Sequence, residues 1–380
     1  MIHLEWVLAL GYIDSLFAER TSVTSRPLDT LPETLSQLYL QAMRHHAREA
    51  VMLARGGDQW APMPDWRFDR QVIRIALYLQ ERAGVKSGDR VAIVSELTPE
   101  WLAAEWAAVC LGAVSVVVDP NLPASRLIGA LIEAGARVVF ASETALAHLD
   151  DGALSLPGLG EVIAIAAHRP TETVRTFAEA LELGGTLDTA ERAQAFRAQA
   201  RGTPVDHPAL CHHDSTIESR VAWQELTQGE AVREIGRLMK ARPAQEGDRA
   251  YVEAPATPSL SLRLTVHACL GDGYTMAVLG TPGQAGAELA EIGPQRIIGS
   301  ALLFEQAIRI AEARQPVAKE RTGWRERANR ALNRGRDHSA QQPLRDALGG
   351  RVRAIDPLGP LDPLLVERLQ AIASVGSPIE

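Results

Sequence analysis

At 380 residues, with 46% hydrophobic and 23% charged residues, the chain is long enough for two domains and has the balance of a globular protein with a substantial core. A formal net charge of −8 excludes nucleic acid as a general partner. Cys110, Cys211 and Cys269 lie far apart and form no CxxC pair, which predicts reduced thiols and a cytoplasmic setting. No apolar run reaches the ~18–20 residues of a spanning helix.

Residues 1–30 read as an N-terminal extension. The apolar run Trp6–Ile13 follows Glu5 with no Lys or Arg in front, the wrong flank for a secretory leader. Leu4, Val7, Leu8, Tyr12 and Leu16 fall near helical spacing, which predicts a docking helix that packs on this fold or on a partner. It lacks the cationic residues that would anchor a peripheral helix on a membrane, so membrane contact has little support.

Two α/β blocks follow, one over 31–205 and one over 206–380. Thr30 can cap a helix that has Pro32 in its first turn and runs through Leu35, Leu38, Leu40 and Met43. In the first block, Arg90–Ser95 reads as a buried strand, Pro99–Leu111 as an Ala-rich helix and Ser115–Val118 as the next strand. A helix over 124–134, a strand at Arg137–Phe140 and a strand at Val162–Ala166 continue the alternation. Residues 168–205 read as a helix and a connecting segment. In the second block the expected strands are Ala209–His212, Asp248–Ala254, Thr275–Leu279, Arg296–Ile298 and Val352–Ile355. Helices are expected over 229–242, 258–270, from Gln284, over 302–313 and over 363–373. Alternating strands and helices imply right-handed crossovers and mostly parallel sheets. The Arg-rich stretch 314–345 reads as a solvated helical face.

His207, Cys211, His212, His213 and Asp214 form a cluster that suggests zinc, but the spacing fits no finger, and strand alternation sends His212 and His213 to opposite faces. They are expected to be polar residues at a strand end, so no metal is assigned. His45 and His46 are adjacent on a helix and read as surface residues. Ser215 near His213 lacks a GxSxG elbow, and Asp272-Gly273 reads as a turn.

The stretches TLPETLSQLYLQAMRHHAREAVML and GVKSGDRVAIVSELTPEWLAAEWAAVCLGAVSVVVDPNLPASRLIGALIEAGARVVFAS closely resemble the opening of the adenylate-forming enzymes. Within these, the long-chain fatty acyl-CoA synthetases are the nearest branch. The resemblance continues in QEGDRAYVEAPATPSL, in ELAEIGPQRIIGSALLFEQ and in PLRDALGGRVRAIDPLGPLDPLLVERLQA. It implies an α/β fold of two stacked, mostly parallel-sheet subdomains flanked by helices. That is the large N-terminal domain of the family, here without the C-terminal domain.

The family's phosphate loop, roughly YTSGTTGxPKG followed by LTH, falls on this chain through Leu226-Thr227-Gln228. Read back without gaps, the loop is His213, Asp214, Ser215, Thr216, Ile217, Glu218, Ser219, Arg220, Val221, Ala222 and Trp223. Thr216, Ser219 and Trp223 stand at glycine positions and Ala222 at the lysine, while Asp214 and Glu218 add negative charge where phosphate would sit. Only Ser215 keeps the family's character. The LPLxH element falls on Ala254-Pro255-Ala256-Thr257-Pro258 without its His, and the Gly-Gly-Ala-Pro adenine loop on Pro357, Leu358, Gly359 and Pro360. The YGxTE motif would begin just past Glu380. The resemblance thus implies that ATP and Mg binding are lost, that no cofactor is expected, and that the chain is catalytically inactive. The expected role is an interaction or structural subunit with a protein partner or a second copy of itself. The alternatives are an acyl-binding module and a residual acyl-CoA ligase completed by another chain. Residues 297–304 are the segment nearest the family's acyl channel, though they read equally as core.

Overall fold

In the strand β3 (Arg90–Val94), Val91 and Ile93 enter one hydrophobic core while Ala92 and Val94 enter another. Side chains on a strand alternate between faces, so a strand apolar at every position must be covered on both sides. The same holds for β10 (Arg249–Glu253), where Ala250 and Val252 join the core shared with β3 and Tyr251 faces a third core. The shared core makes the architecture: two sheets with a layer of helices between them and a helical layer on each outer face.

The computed structural model describes residues 30–379 apart from 46–47, 49, 57–58, 150–157, 166–173, 215–221, 280–284 and 315–337. The expected docking helix, His46, and most of the Arg-rich stretch and the phosphate-loop positions therefore lie outside the described residues. The first sheet takes β3, β4 (Val114–Val117), β5 (Ala136–Ala141), β6 (Glu161–Ala164), β7 (Val174–Thr176), β8 (Pro208–Asp214) and β9 (Ala222–Thr227) in the order β7-β6-β5-β3-β4-β8-β9. The second takes β1 (Met52–Gly56), β2 (Gln59–Met63), β10, β11 (Thr275–Leu279), β12 (Arg296–Ser300), β13 (Ala354–Leu358) and β14 (Ser374–Val375) in the order β14-β13-β12-β10-β11-β1-β2. All neighbours are parallel except the hairpins β1–β2 and β8–β9, which close one edge of each sheet.

This topology corrects the boundary at 205/206. The β8–β9 hairpin, assigned by sequence to the second block, completes the first sheet against β4, and the β1–β2 hairpin from the first block completes the second sheet against β11. Each sheet is finished by a hairpin from the other half of the chain, so the blocks are interleaved.

The middle layer holds α1 (Leu35–His45), α2 (Asp65–Glu81), α3 (Pro99–Cys110), α6 (Phe177–Leu187), α7 (Ala190–Arg201), α8 (Gln228–Ala241) and α9 (Leu260–Asp272). The outer layers hold α4 (Ala124–Ala134) and α5 (Glu143–His148) on the first sheet. On the second they hold α10 (Ala285–Ile292), α11 (Ala301–Arg314), α12 (His338–Ala347) and α13 (Pro363–Gln370). Thr98 caps α3 on the Trp101 N–H with Pro99 in the first turn, and Ser259 caps α9 on the Leu262 N–H. Trp101–Cys110 and Leu262–Asp272 are buried all round, as a helix sandwiched between two sheets must be.

Where α3 meets α9 the core is ionic. Glu105, Arg263 and His267 are each 0% exposed. His267 Nε2–H donates to Glu105 Oε1 at 2.6 Å, and Arg263 Nη2 lies 3.3 Å from the same oxygen. Arg263 also donates to the Cys211 carbonyl at 2.8 Å and to the Ser115 carbonyl and hydroxyl, both at 3.2 Å. One guanidinium on a helix of the second half thereby grips two adjacent strands of the first sheet. Burial raises the Glu105 pKa, but the charges of Arg263 and His267 outweigh it and leave the carboxyl below its ordinary value.

Removing one member leaves a buried charge uncompensated. Glu105→Gln should cost ~3–5 kcal/mol of unfolding free energy in urea titrations, and an apolar replacement of all three residues should cost less than that single change. Because the folded-state pKa of Glu105 is depressed, its contribution is fully present above the unfolded value of about 4.3 and fades as pH falls through the folded value. The stability gap between wild type and Glu105→Gln should therefore narrow in acid.

Candidate functional site

In an open parallel sheet, ligands bind beyond the carboxyl ends of the strands, at the point where the strand order reverses. In the second sheet that point is β10, which has β12 on one side and β11 on the other. Glu253 closes it from the end of β10. The side chain is 4% exposed and accepts the Ser300 N–H and, at 3.0 Å, the Ser300 hydroxyl, tying β10 to the end of β12. Ala254–Pro258 continues from Glu253 to the Ser259 cap of α9, with Pro258 buried where the resemblance would place a histidine.

In the first sheet the corresponding point is β3, and β8 joins beyond β4. Here the β8–β9 hairpin carries the positions that the resemblance assigns to the phosphate loop. Asp214 pairs with Ala222 and His213 with Trp223, so the connection at the carboxyl edge is limited to residues 215–221. Ser215, Thr216, Ile217, Glu218 and Ser219 lie outside the described residues. His213 is 3% exposed, with its ring 5.0 Å from that of Trp223 in an edge-on contact. Trp223, at a position of glycine in the resemblance, packs against the core of the outer face. Its indole fills space that a glycine would leave for backbone to approach a ligand.

His207, Cys211, His212 and His213 are spread along β8 and the turn before it. His207 lies 2.7 Å from the Gly112 carbonyl, and the Cys211 sulfur accepts from Arg90 Nη1 at 3.6 Å. Among the described residues no group of three or more His, Cys, Asp or Glu side chains is arranged to hold a metal. All three cysteines are free and buried, and burial pushes the Cys269 thiol up to about 11.

The adenine-loop positions leave the end of β13. Pro357 pairs with Gly299 and Leu358 with Ser300, and Gly359 turns at φ +82°. The Gly359 N–H donates to the Ile379 carbonyl at 3.0 Å, and the Pro357 carbonyl accepts the Ile379 N–H at 2.8 Å. The loop's backbone is thus paired with the segment 376–379, and Pro360 has no N–H to offer. In the segment 297–304, Ile297, Ile298, Leu303 and Phe304 are core residues and Leu302 is exposed.

A cavity of about 570 Å³ lies between α8, α9, the face of β12 and β13, and residues 376–379. Leu238, Leu264, Pro378 and Ile379 give it apolar walls, while Arg242, Arg296 and Asp356 line it with charge. Arg296 Nε donates to Asp356 Oδ2 at 2.7 Å and Arg242 Nε to Asp356 Oδ1 at 3.3 Å. No sequence spacing signals this trio, because its members come from three elements of the second half.

The AMP-binding enzyme family model matches residues 41–192. The long-chain-fatty-acid–CoA ligase FadD15 of Mycobacterium bovis is 28% identical over 298 residues, covering 71% of this chain and 47% of that protein. The chain therefore spans about half the length of that relative. Among solved structures, a fatty acyl CoA synthetase of Mycobacterium tuberculosis matches with a TM-score of 0.62 at 15% identity, over 90% of this chain and 58% of the other. The A domain of carboxylic acid reductase from Segniliparus rugosus matches with a TM-score of 0.64 at 16% identity, over 96% of this chain and 62% of that one. The chain is a relative of the adenylate-forming superfamily. Residues 41–192 match the AMP-binding enzyme family, and the chain is similar to long-chain fatty acyl-CoA ligases.

If Glu253 holds the switch point closed, Glu253→Ala strands the Ser300 N–H and should lower the unfolding free energy by ~1.5–3 kcal/mol in a denaturant titration.

Proposed function

We propose that this acyl-CoA synthetase-like domain does not adenylate, and that it serves as an interaction or structural subunit. One observation carries the first part. The positions that the resemblance assigns to the phosphate loop, residues 213–223, hold no glycine or lysine, and His213, Asp214, Ala222 and Trp223 among them are paired in β8 and β9. A loop cradles phosphate by turning successive N–H groups inward, with a cation to balance charge. Here Arg220 is the lone cation of the stretch, with Glu218 two residues away and Asp214 and Ala222 at its base. Each carboxylate facing phosphate at 4 Å costs about 1 kcal/mol even in water. The paired backbone of Pro357 and Gly359 and the missing histidine at Pro258 support the same reading. On this reading ATP, Mg and other cofactors are not used.

The second part is supported by apolar side chains left in solvent. Leu364 is 71% and Leu302 47% exposed. Each stands near the start of a helix that follows one of two adjacent strands, β13 and β12. Exposed apolar side chains at these helix starts suit a protein partner or a second copy of the chain. An acyl-binding module is the runner-up. The ion pairs between Arg296, Arg242 and Asp356 weigh against a long alkyl chain in the cavity, because burying them under hydrocarbon carries a desolvation cost of about several kcal/mol per ion.

ATP–pyrophosphate exchange with carboxylic acids from acetate to palmitate is the direct assay. The expected result is no exchange above a protein-free control, and carboxylate-dependent exchange would restore the ligase reading. Light scattering on the native protein should give a mass above the 41.1 kDa of one chain. A strictly monomeric species would remove the subunit reading while leaving the loss of adenylation standing.

A further inference from the structure

Six large apolar side chains are left exposed among the described residues, and two of them, Leu31 and Val205, rest on the same helix. Leu31 is 39% and Val205 42% exposed. They come from segments far apart in sequence, the lead-in to α1 and the turn between α7 and β8, and each meets α8 at a glycine. A Cβ on Gly236 would come within 2.4 Å of Leu31 Cδ2, and one on Gly229 within 2.4 Å of Val205 Cγ1. Positions seven apart share a face of a helix and lie about 10 Å from each other along its axis. Leu31 and Val205 therefore mark the two ends of one apolar strip along α8.

The described residues begin at Thr30, one position before Leu31, so residues 1–29 join the fold at one end of this strip. That stretch contains the apolar run Trp6–Ile13, with Leu4, Val7, Leu8, Tyr12 and Leu16 near helical spacing. A helix from Leu4 to Leu16 would be about 18 Å long, enough to cover the strip. Residues 17–29 can span up to about 40 Å when extended, ample for a turn back onto α8. A segment tethered this closely meets the strip at an effective concentration on the order of millimolar, which favours it over a free partner.

We propose that the N-terminal apolar segment, residues 4–16, docks on this strip, with its apolar side chains against Leu31 and Val205. Docked there, it ties together the lead-in to α1, the turn after α7 and the outer side of α8. The contact does not depend on the loss of adenylation or on a partner at Leu302 and Leu364.

Hydrogen exchange read by mass spectrometry on the full chain tests it. Amides of residues 4–16 should exchange at least about 10-fold more slowly than in an unfolded peptide of the same sequence, equally at two protein concentrations about 10-fold apart. Val205→Asp on the strip and Leu8→Asp on the segment should each remove most of that protection, while β3 keeps its own. Leu8→Asp alters no residue of the described fold, so it reads the contact even where Val205→Asp disturbs folding. Unprotected amides in the wild-type chain would overturn the proposal. So would protection that survives Leu8→Asp, or that survives Val205→Asp in a folded chain. Protection that fades on dilution would overturn it too, since it would place the segment on a second copy.

Discussion

Glu105, Arg263 and His267 sit where the helices of the two sheets meet, and the layered architecture depends on their being satisfied together. Arg263 reaches from α9 to two neighbouring strands of the first sheet, and Glu105 on α3 balances its charge. An apolar contact at this place would tolerate sliding, because burial energy is non-directional. A buried charge does not, since each displacement exposes it to an unpaired environment. Glu105 Oε2, Arg263 Nε and His267 Nδ1 have no hydrogen-bond partner among the described residues. The network thus stabilises less than its distances suggest and chiefly fixes the alignment of the sheets.

With that alignment fixed, positions that the resemblance assigns to the ligand site carry residues that bond within the protein. Trp223 packs on His213 where a glycine would leave room. Glu253 bonds across the switch point to Ser300. Ile379 takes the backbone groups of Pro357 and Gly359. In each case, groups that could meet a ligand instead meet the protein. The charged cavity lies under α8 and α9, where Asp356 and Arg296 point from the sheet toward the middle layer.

Much of the fold was legible in the sequence because buried parallel strands announce themselves as short apolar runs. RVAIV at Arg90–Val94 and TMAVL at Thr275–Leu279 are strands in the structure. Other elements carried signals that sequence reading passed over. Phe68, Val72, Ile75, Ala76 and Leu79 mark α2 at helical spacing, and Gly57-Asp58 between Met52–Gly56 and Gln59–Met63 has the composition of a two-residue hairpin turn. Pro62 belongs where it is found, on the outermost strand. What could not be read was the exchange of edge hairpins between sheets, which depends on contacts such as Met52 with Met276, more than 200 residues apart. Long sequence separations, if shorter ones, also hid the buried ion network and the Arg242–Asp356–Arg296 trio, since no local spacing brings those residues together.

The central claim is that the scaffold persists without an ATP site, and linkage tests it most directly. A ligand that binds only the folded state stabilises it by about 2.7 kcal/mol at a concentration 100 times its Kd. Thermal unfolding of the full chain should therefore be followed with and without millimolar ATP and Mg. The account predicts superimposable transitions. A nucleotide-dependent rise in Tm that saturates with ATP would contradict it.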